Sequence, residues 1–281
     1  MSASLAMTAS LLWGTSDYLG VRLSSRLPAS TVVAVSQFVA AVLMGGFVLA
    51  TGGWTADAGH LGLAAGAGAL WAVGIGAFYR ALAEGTAGVV APVASCGALV
   101  PVVVGLARGE RPGALQALGV GIALVGVVCC GGPDVRPGPG RAVGPLLLAG
   151  VAALAFGGEV SLLAGVSGDS IPMTLLVMRL VAVVLVGGSV LAGRALVAPA
   201  RADAALLAAL GVLDVVAMLA YLLAARGSAL SLVAVLASLY PAVTVLLARR
   251  LDVERLLKVQ VFGVSATLAG AACLAAGGVS A

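Results

Sequence analysis

Long apolar blocks, separated by short polar breaks, follow one another along the whole chain. A helix needs roughly 20 apolar residues to cross a bilayer, and the blocks have about this length. Lipid cannot satisfy an open backbone, and the blocks lack the alternation of barrel strands, so the predicted spans are helices. Ten spans are predicted, near residues 3–24, 29–51, 61–82, 88–107, 113–131, 143–165, 170–192, 203–225, 230–248 and 256–279.

Composition excludes a soluble domain. Apolar residues make up 62% of the chain and charged residues 9%, whereas a soluble domain carries about 25% charged residues. The net charge of +4 does not indicate nucleic-acid binding, because the basic residues flank apolar blocks and form no stripe. We therefore expect an all-α integral membrane protein that crosses the cell membrane many times, with the lipid bilayer as its main solvent.

A Pro/Gly-rich stretch at 132–142 divides the ten spans into five and five. It is the predicted linker between a first repeat, 1–131, and a second repeat, 143–281. The two segments share polar and glycine positions at nearly constant offsets. Glu110-Arg111, Gln116, Gly119 and Gly126 recur as Glu254-Arg255, Gln260, Gly263 and Gly270, while residues around Phe38-Val39-Ala40 recur around Leu180-Val181-Ala182, and Tyr79 is paired with Tyr221.

An odd number of spans per repeat has a geometric consequence. The second copy must enter the membrane from the opposite side, which predicts two inverted five-helix repeats. This architecture is typical of secondary transporters, whose substrate site lies near the bilayer midplane between the repeats.

The chain resembles the EamA-type members of the drug/metabolite transporter superfamily. The resemblance rests on Leu12-Trp13-Gly14, on Arg179, and on Pro241 followed by Glu254-Arg255. It covers nearly the whole chain and implies ten spans, two EamA repeats and export of a small solute. The first repeat departs from the pattern, since Gln37 stands where Arg179 stands in the second. No proline precedes Glu110 at the spacing by which Pro241 precedes Glu254.

Four charged residues, Asp17, Glu159, Arg179 and Asp214, lie within predicted spans. Each costs about 2.5–3.5 kcal/mol at the bilayer centre, so we expect them to be paired, hydrated or neutral in a substrate cavity. Three acids against one base leave an excess of acids. Low dielectric favours the neutral form of a carboxyl group, which could then carry a proton. The alternatives are a structural ion pair for Arg179 and a headgroup position for Asp17.

Aromatic residues are further candidates for the cavity, because Tyr and Trp combine an apolar face with a polar tip. Such residues suit the interfacial belt equally well, and Trp54 is assigned to that belt. Proline breaks a backbone hydrogen bond, and broken helices can mark a transport site or serve only packing. The cavity candidates are Trp13, Gln37, Trp71, Tyr79, Tyr221 and Tyr240, and the helix-break candidates are Pro92, Pro101 and Pro241.

No cofactor, metal or nucleotide site is predicted. His60 is the single histidine and is assigned to a solvated loop, since a zinc site needs more ligands. The Glu-Arg pairs are assigned to loop-end salt bridges and helix starts, with gating as the alternative. Without a catalytic constellation we expect no enzyme. The runner-up to a transporter is a membrane-embedded enzyme or lipid-handling protein.

The expected function is secondary-active transport of a small metabolite or drug-like solute, with protons as a further expected partner and a monomer or homodimer as the assembly. The sequence does not select the solute. Basic residues concentrate after odd-numbered spans, which by the positive-inside rule places both termini outside the cytoplasm, whereas the resemblance implies the reverse.

Overall fold

The computed structural model describes residues 2–54, 58–84, 90, 93–130, 143–166, 171–193, 197–251 and 257–276. These residues form helices joined by short connections and include no strand, so the predicted all-α fold is confirmed. The helices are α1 (Ser2–Ser24), α2 (Ala29–Thr51), α3 (Ala58–Glu84), α4 (Val93–Ala107), α5 (Ala114–Cys130), α6 (Val143–Leu163), α7 (Ile171–Ala192), α8 (Arg201–Arg226), α9 (Leu230–Leu251) and α10 (Lys258–Ala276).

Each helix coincides with one predicted span, within a few residues at either end. By length and composition, six of the described helices can cross a membrane, and α4, α5 and α10 are apolar but shorter. The chain is a multi-pass membrane protein. The predicted linker, 132–142, lies outside the described residues, and the repeat boundaries remain predictions.

The pattern of contacts between helices stays the same when each of the first five helices is replaced by its counterpart in the second five, and the reverse. Helix α1 packs on α8 as α6 packs on α3, and α2 packs on α8 as α7 packs on α3. Helix α1 also packs on α9, as α6 packs on α4. The pairs α2–α7, α4–α9 and α5–α10 each join a helix to its own counterpart. This pattern is that of a two-fold axis between the repeats.

The α5–α10 pair shows the direction of the two copies. Gly126 lies against Thr267, and Ala123 lies against Gly270. At the offset of 144 (270 minus 126), each of these contacts becomes the other. Residue numbers rise along α5 while they fall along α10, so the two equivalent helices run antiparallel. The repeats are therefore inverted, as predicted.

Close helix contacts at glycine follow the same symmetry. A side chain at Gly14 would collide with Val243 and with the backbone of α9, and one at Gly157 would collide with Val100 and with the backbone of α4. Both residues of the second contact are displaced by 143 (157 minus 14) from those of the first. Helix α1 thus approaches α9 as closely as α6 approaches α4.

The register of α3 and α8 differs from the expectation. Gly68 lies against the backbone of α7 and Gly211 against the backbone of α2, which sets the offset at 143 (211 minus 68). Tyr221 therefore aligns with Phe78, and the predicted pairing of Tyr79 with Tyr221 is off by one residue. The sequence comparison favoured the wrong register because it pairs two tyrosines in a chain that has only four.

The two ends of the bundle can be told apart by their contacts. At the end where α1 begins, called the first face, Ser2 lies beside Gly227. At the other end, the second face, Nη1 of Arg26 lies 3.7 Å from Oδ1 of Asp203. The main apolar core lies between these faces and is built largely from α7, α8 and α9.

Candidate functional site

A network of four polar side chains lies at the centre of the bundle. The Nη1 atom of Arg179 is 2.8 Å from Oδ2 of Asp214 and donates a hydrogen bond of 2.8 Å to Oε1 of Gln37. Gln37 Nε2 donates to the same Asp214 oxygen at 2.9 Å, and Trp13 Nε1 donates to Oδ1 at 3.3 Å. The four residues come from α2, α7, α8 and α1, so both repeats contribute.

The meeting of Gln37 and Arg179 follows from the symmetry. Their positions differ by 142 residues, which is the repeat offset of α2 and α7, so they are equivalent residues that contact each other across the two-fold axis. Arg179 is fully buried and Gln37 is 3% exposed. A buried charge needs a partner, and Asp214 on α8 supplies it.

Glu159 on α6 lies next to this network without joining it. It is 3% exposed, and within the described part of the chain its Oε1 has no hydrogen-bond partner. The Nε and Nη2 atoms of Arg179 also lack partners there. Glu159 interacts electrostatically with Arg179 and Asp214, yet forms no salt bridge with Arg179 among the described residues. Buried polar atoms left open in this way point to a water or ligand between them.

An aromatic cavity of about 90 Å³ adjoins the network. Trp13, Phe156, Tyr221 and Tyr240 wall it, together with small residues of α4 and α9 that include Ser95 and Ser238. The ring centroid of Trp13 is 5.9 Å from that of Tyr221 and 6.4 Å from that of Tyr240. Such a wall can receive an apolar or cationic group. The sequence had not singled out Phe156, whose signal would have been its equivalence to Trp13.

Asp17 lies one turn of α1 beyond Trp13, toward the second face. Its side chain is exposed, yet it interacts electrostatically with Asp214, Tyr79 and Tyr240, which come from three other helices. These interactions bring Asp17 near the network, and its place in the substrate cavity stays a prediction.

Trp71 and Tyr79 on α3 lie outside the hydrogen-bonded network. Trp71 is partly buried and packs against the main apolar core. It is the counterpart of Asp214 at the offset of 143. The ring of Tyr79 lies 5.9 Å from that of Phe78, and its link to the site is the interaction with Asp17.

Both described candidate prolines lie beside breaks in their helices. Helix α4 contains a 3₁₀ turn at Cys96–Ala98 just before Pro101. Helix α9 is interrupted between Ala237 and Tyr240, just before Pro241. Proline removes the hydrogen bond to the carbonyl four residues earlier, which is Gly97 for Pro101 and Ala237 for Pro241. The two breaks occupy equivalent places and border the aromatic cavity. Pro92 lies outside the described residues.

Glu110 has a role that the sequence did not reveal. Its carboxylate accepts hydrogen bonds from the backbone N–H groups of Leu230 at 2.6 Å and Ser231 at 3.0 Å, and from the Ser231 hydroxyl at 2.6 Å. Glu110 thus caps the N-terminus of α9, and not the helix that follows it in sequence. The sequence predicted a helix start without naming the helix, and the carboxylate lies at the start of α9. Glu254 and Arg255 lie outside the described residues.

The described residues hold no group of three or more metal-ligating side chains. His60 lies in the first turn of α3 and is half-buried, so its assignment to a loop was wrong. Trp54 is exposed at the end of α2, where an interfacial tryptophan would lie.

Three comparisons place the chain among known proteins. Residues 1–131 match the model of the EamA-like transporter family. No curated protein matches the chain. Sixteen chains of solved structures match it. One of these, described as "Crystal structure of protein", superposes with a TM-score of 0.77 at 20% identity, covering 97% of this chain and 95% of that one. At this identity the likeness shows the fold alone.

Proposed function

We propose that this chain, whose residues 1–131 match the EamA-like transporter family, is a membrane transporter of the drug/metabolite type that exports a small solute by proton-coupled secondary-active transport. The observation that carries this proposal is the buried network of Trp13, Gln37, Arg179 and Asp214 at the contact between inverted repeats. A substrate site at this place can be exposed to either side when one repeat moves against the other.

Glu159 is the proposed proton carrier. Asp214 is already paired with the guanidinium of Arg179 at 2.8 Å, so its carboxylate is committed to the buried network. Among the described residues Glu159 forms no such ion pair, and its Oε1 has no hydrogen-bond partner there. A buried carboxyl group that is not committed to an ion pair is free to take up a proton on one side and release it on the other.

The walls favour a solute with a cationic group on a compact apolar frame. Aromatic faces attract ammonium groups, and the pairing of Arg179 with Asp214 leaves Asp17 and Glu159 as the excess acids. The cavity of about 90 Å³ is small beside the 300–1,000 Å³ typical of drug-sized sites, which favours a metabolite over a large drug.

The test is solute flux in proteoliposomes with and without an imposed pH gradient. The solute is first identified by comparing metabolite efflux from overexpressing and deleted cells. Glu159→Gln should abolish uphill flux driven by the pH gradient and leave downhill exchange, because a neutral amide cannot carry the proton. Asp203→Asn is the matched control, since Asp203 lies at the second face beside Arg26. Uphill flux that survives Glu159→Gln would refute the proposed carrier, and the lack of any flux would refute the proposed export.

A further inference from the structure

A second cavity, of about 400 Å³, opens on the outside of the bundle between α2, α7 and α8. Its lining is apolar except at one end. Phe47, Leu175, Val216 and Leu219 are among the lining residues, and Arg226 closes the end at the first face. Phe47 is 50% exposed and Val216 43% exposed. In a bilayer these side chains face the hydrocarbon region, so we call this cavity the lipid-facing groove.

The lining of the groove suits one kind of occupant. It runs from Arg226 at the end of α8 toward Val212 and Val215, which flank Asp214. The apolar part suits an acyl chain. Arg226 forms no ion pair with any other described residue, and an arginine at the membrane surface attracts an anionic headgroup. We propose that the groove binds one anionic phospholipid, with an acyl chain between the three helices and the phosphate at Arg226.

The lipid-facing groove lies on one of two symmetry-related surfaces, and the other surface lacks its apolar lining. At the offsets of 142 and 143, the counterparts of Phe47, Leu219 and Leu223 are Ser189, Gly76 and Arg80. These replacements remove apolar wall and put a charge inside the equivalent surface. An acyl chain therefore has a defined place on only one side of the two-fold axis among the described helices.

The position of the groove gives the lipid a link to the candidate site. The three helices that form it also carry Gln37, Arg179 and Asp214. Leu175, which lines the groove, is one helical turn from Arg179. A bound chain would hold the spacing of α2, α7 and α8, and with it the geometry of the buried network.

The experiment is a lipid titration of the delipidated full-length protein in mild detergent, followed by native mass spectrometry. The probes are dioleoylphosphatidylglycerol and dioleoylphosphatidylcholine. Arg226→Gln should weaken binding of the anionic lipid about fivefold, the worth of one surface arginine, and leave binding of the zwitterionic lipid unchanged. Arg249→Gln, at the end of α9 on the second face, is the charge control.

Val216→Trp should fill the groove and weaken both lipids. Val73→Trp is the matched control, because Val73 is the counterpart of Val216 and is 54% exposed. Equal affinity for the two lipids in the unaltered protein would overturn the proposal, as would equal effects of the two tryptophans. A dimer that Val216→Trp dissociates would show a second copy as the occupant and would also overturn it. If Val216→Trp fails to fold, the Arg226→Gln comparison decides alone.

Discussion

The two repeats share their packing and differ in their charges. Gly14 and Gly157 make equivalent close contacts, as do Gly68 and Gly211. The polar positions of the buried network do not correspond in this way. Gln37 faces its counterpart Arg179, and Trp71 occupies the place of Asp214. The scaffold is therefore symmetric, as an inverted repeat requires, while the groups that could bind a solute or a proton are unequal.

Packing and charge constrain the two repeats in different ways. Close backbone approach leaves no room for a side chain, so both copies must keep glycine at the contact points. A buried cation needs only one carboxylate, so one copy can supply Arg179 and Asp214 while the other supplies neutral or aromatic partners. Two arginines facing each other at the axis would repel. The asymmetry at positions 37 and 179 is thus a condition for the network to exist.

The largest expected effect comes from removing the charge asymmetry. Arg179→Gln places glutamine at both axial positions and leaves Asp214 without its cation. Breaking a buried pair in this way costs about 3–5 kcal/mol, and solute flux should be lost. Thermal and denaturant unfolding of the purified protein measure the stability change.

A double variant separates the lost charge from the lost packing. Arg179→Gln with Asp214→Asn removes both charges, so it should recover most of the free energy of unfolding but none of the flux. A double variant as unstable as Arg179→Gln alone would show that Asp214 is not the partner that matters.

The next effect tests the packing symmetry. Gly14→Ala and Gly157→Ala each push a methyl group into a neighbouring backbone and should each lower the free energy of unfolding by about 1–3 kcal/mol. The two costs should be similar. The controls are Gly20→Ala and Gly150→Ala, which meet open space and should be neutral or slightly stabilising. Clearly unequal costs at Gly14 and Gly157 would break the symmetry of the scaffold.

A smaller effect is expected at the first face. Glu110→Gln removes a negative charge from the N-terminus of α9 and should lower the free energy of unfolding by about 1 kcal/mol. The control is Glu84→Gln, because Glu84 is 44% exposed and its pair with Arg80 lies on the surface, where such pairs contribute little. Thermal unfolding should rank the two variants. Equal shifts for both would argue against the cap.

Sequence reasoning reached the spans and the inversion because both depend on local patterns. Apolar length predicts a helix, and recurring Glu, Gln and Gly positions predict a copy. It also placed Arg179 and Asp214 among the cavity candidates, since their cost in lipid does not depend on the fold. It could not predict that Glu110 caps α9, because a long-range contact between a loop and another helix leaves no mark on periodicity. The one-residue shift in α3 arose because apolar repeats tolerate several registers.

Positions 37 and 179 are equivalent and share Asp214, so an exchange of their residues should preserve the network. In the double variant Gln37→Arg with Arg179→Gln, an arginine at 37 can still reach Asp214, because Gln37 Nε2 already lies 2.9 Å from that carboxylate. Denaturant unfolding should return the exchanged protein to within about 1 kcal/mol of the unaltered one, far above Arg179→Gln alone. If the exchanged protein is as unstable as Arg179→Gln alone, the two positions are not interchangeable about the two-fold axis.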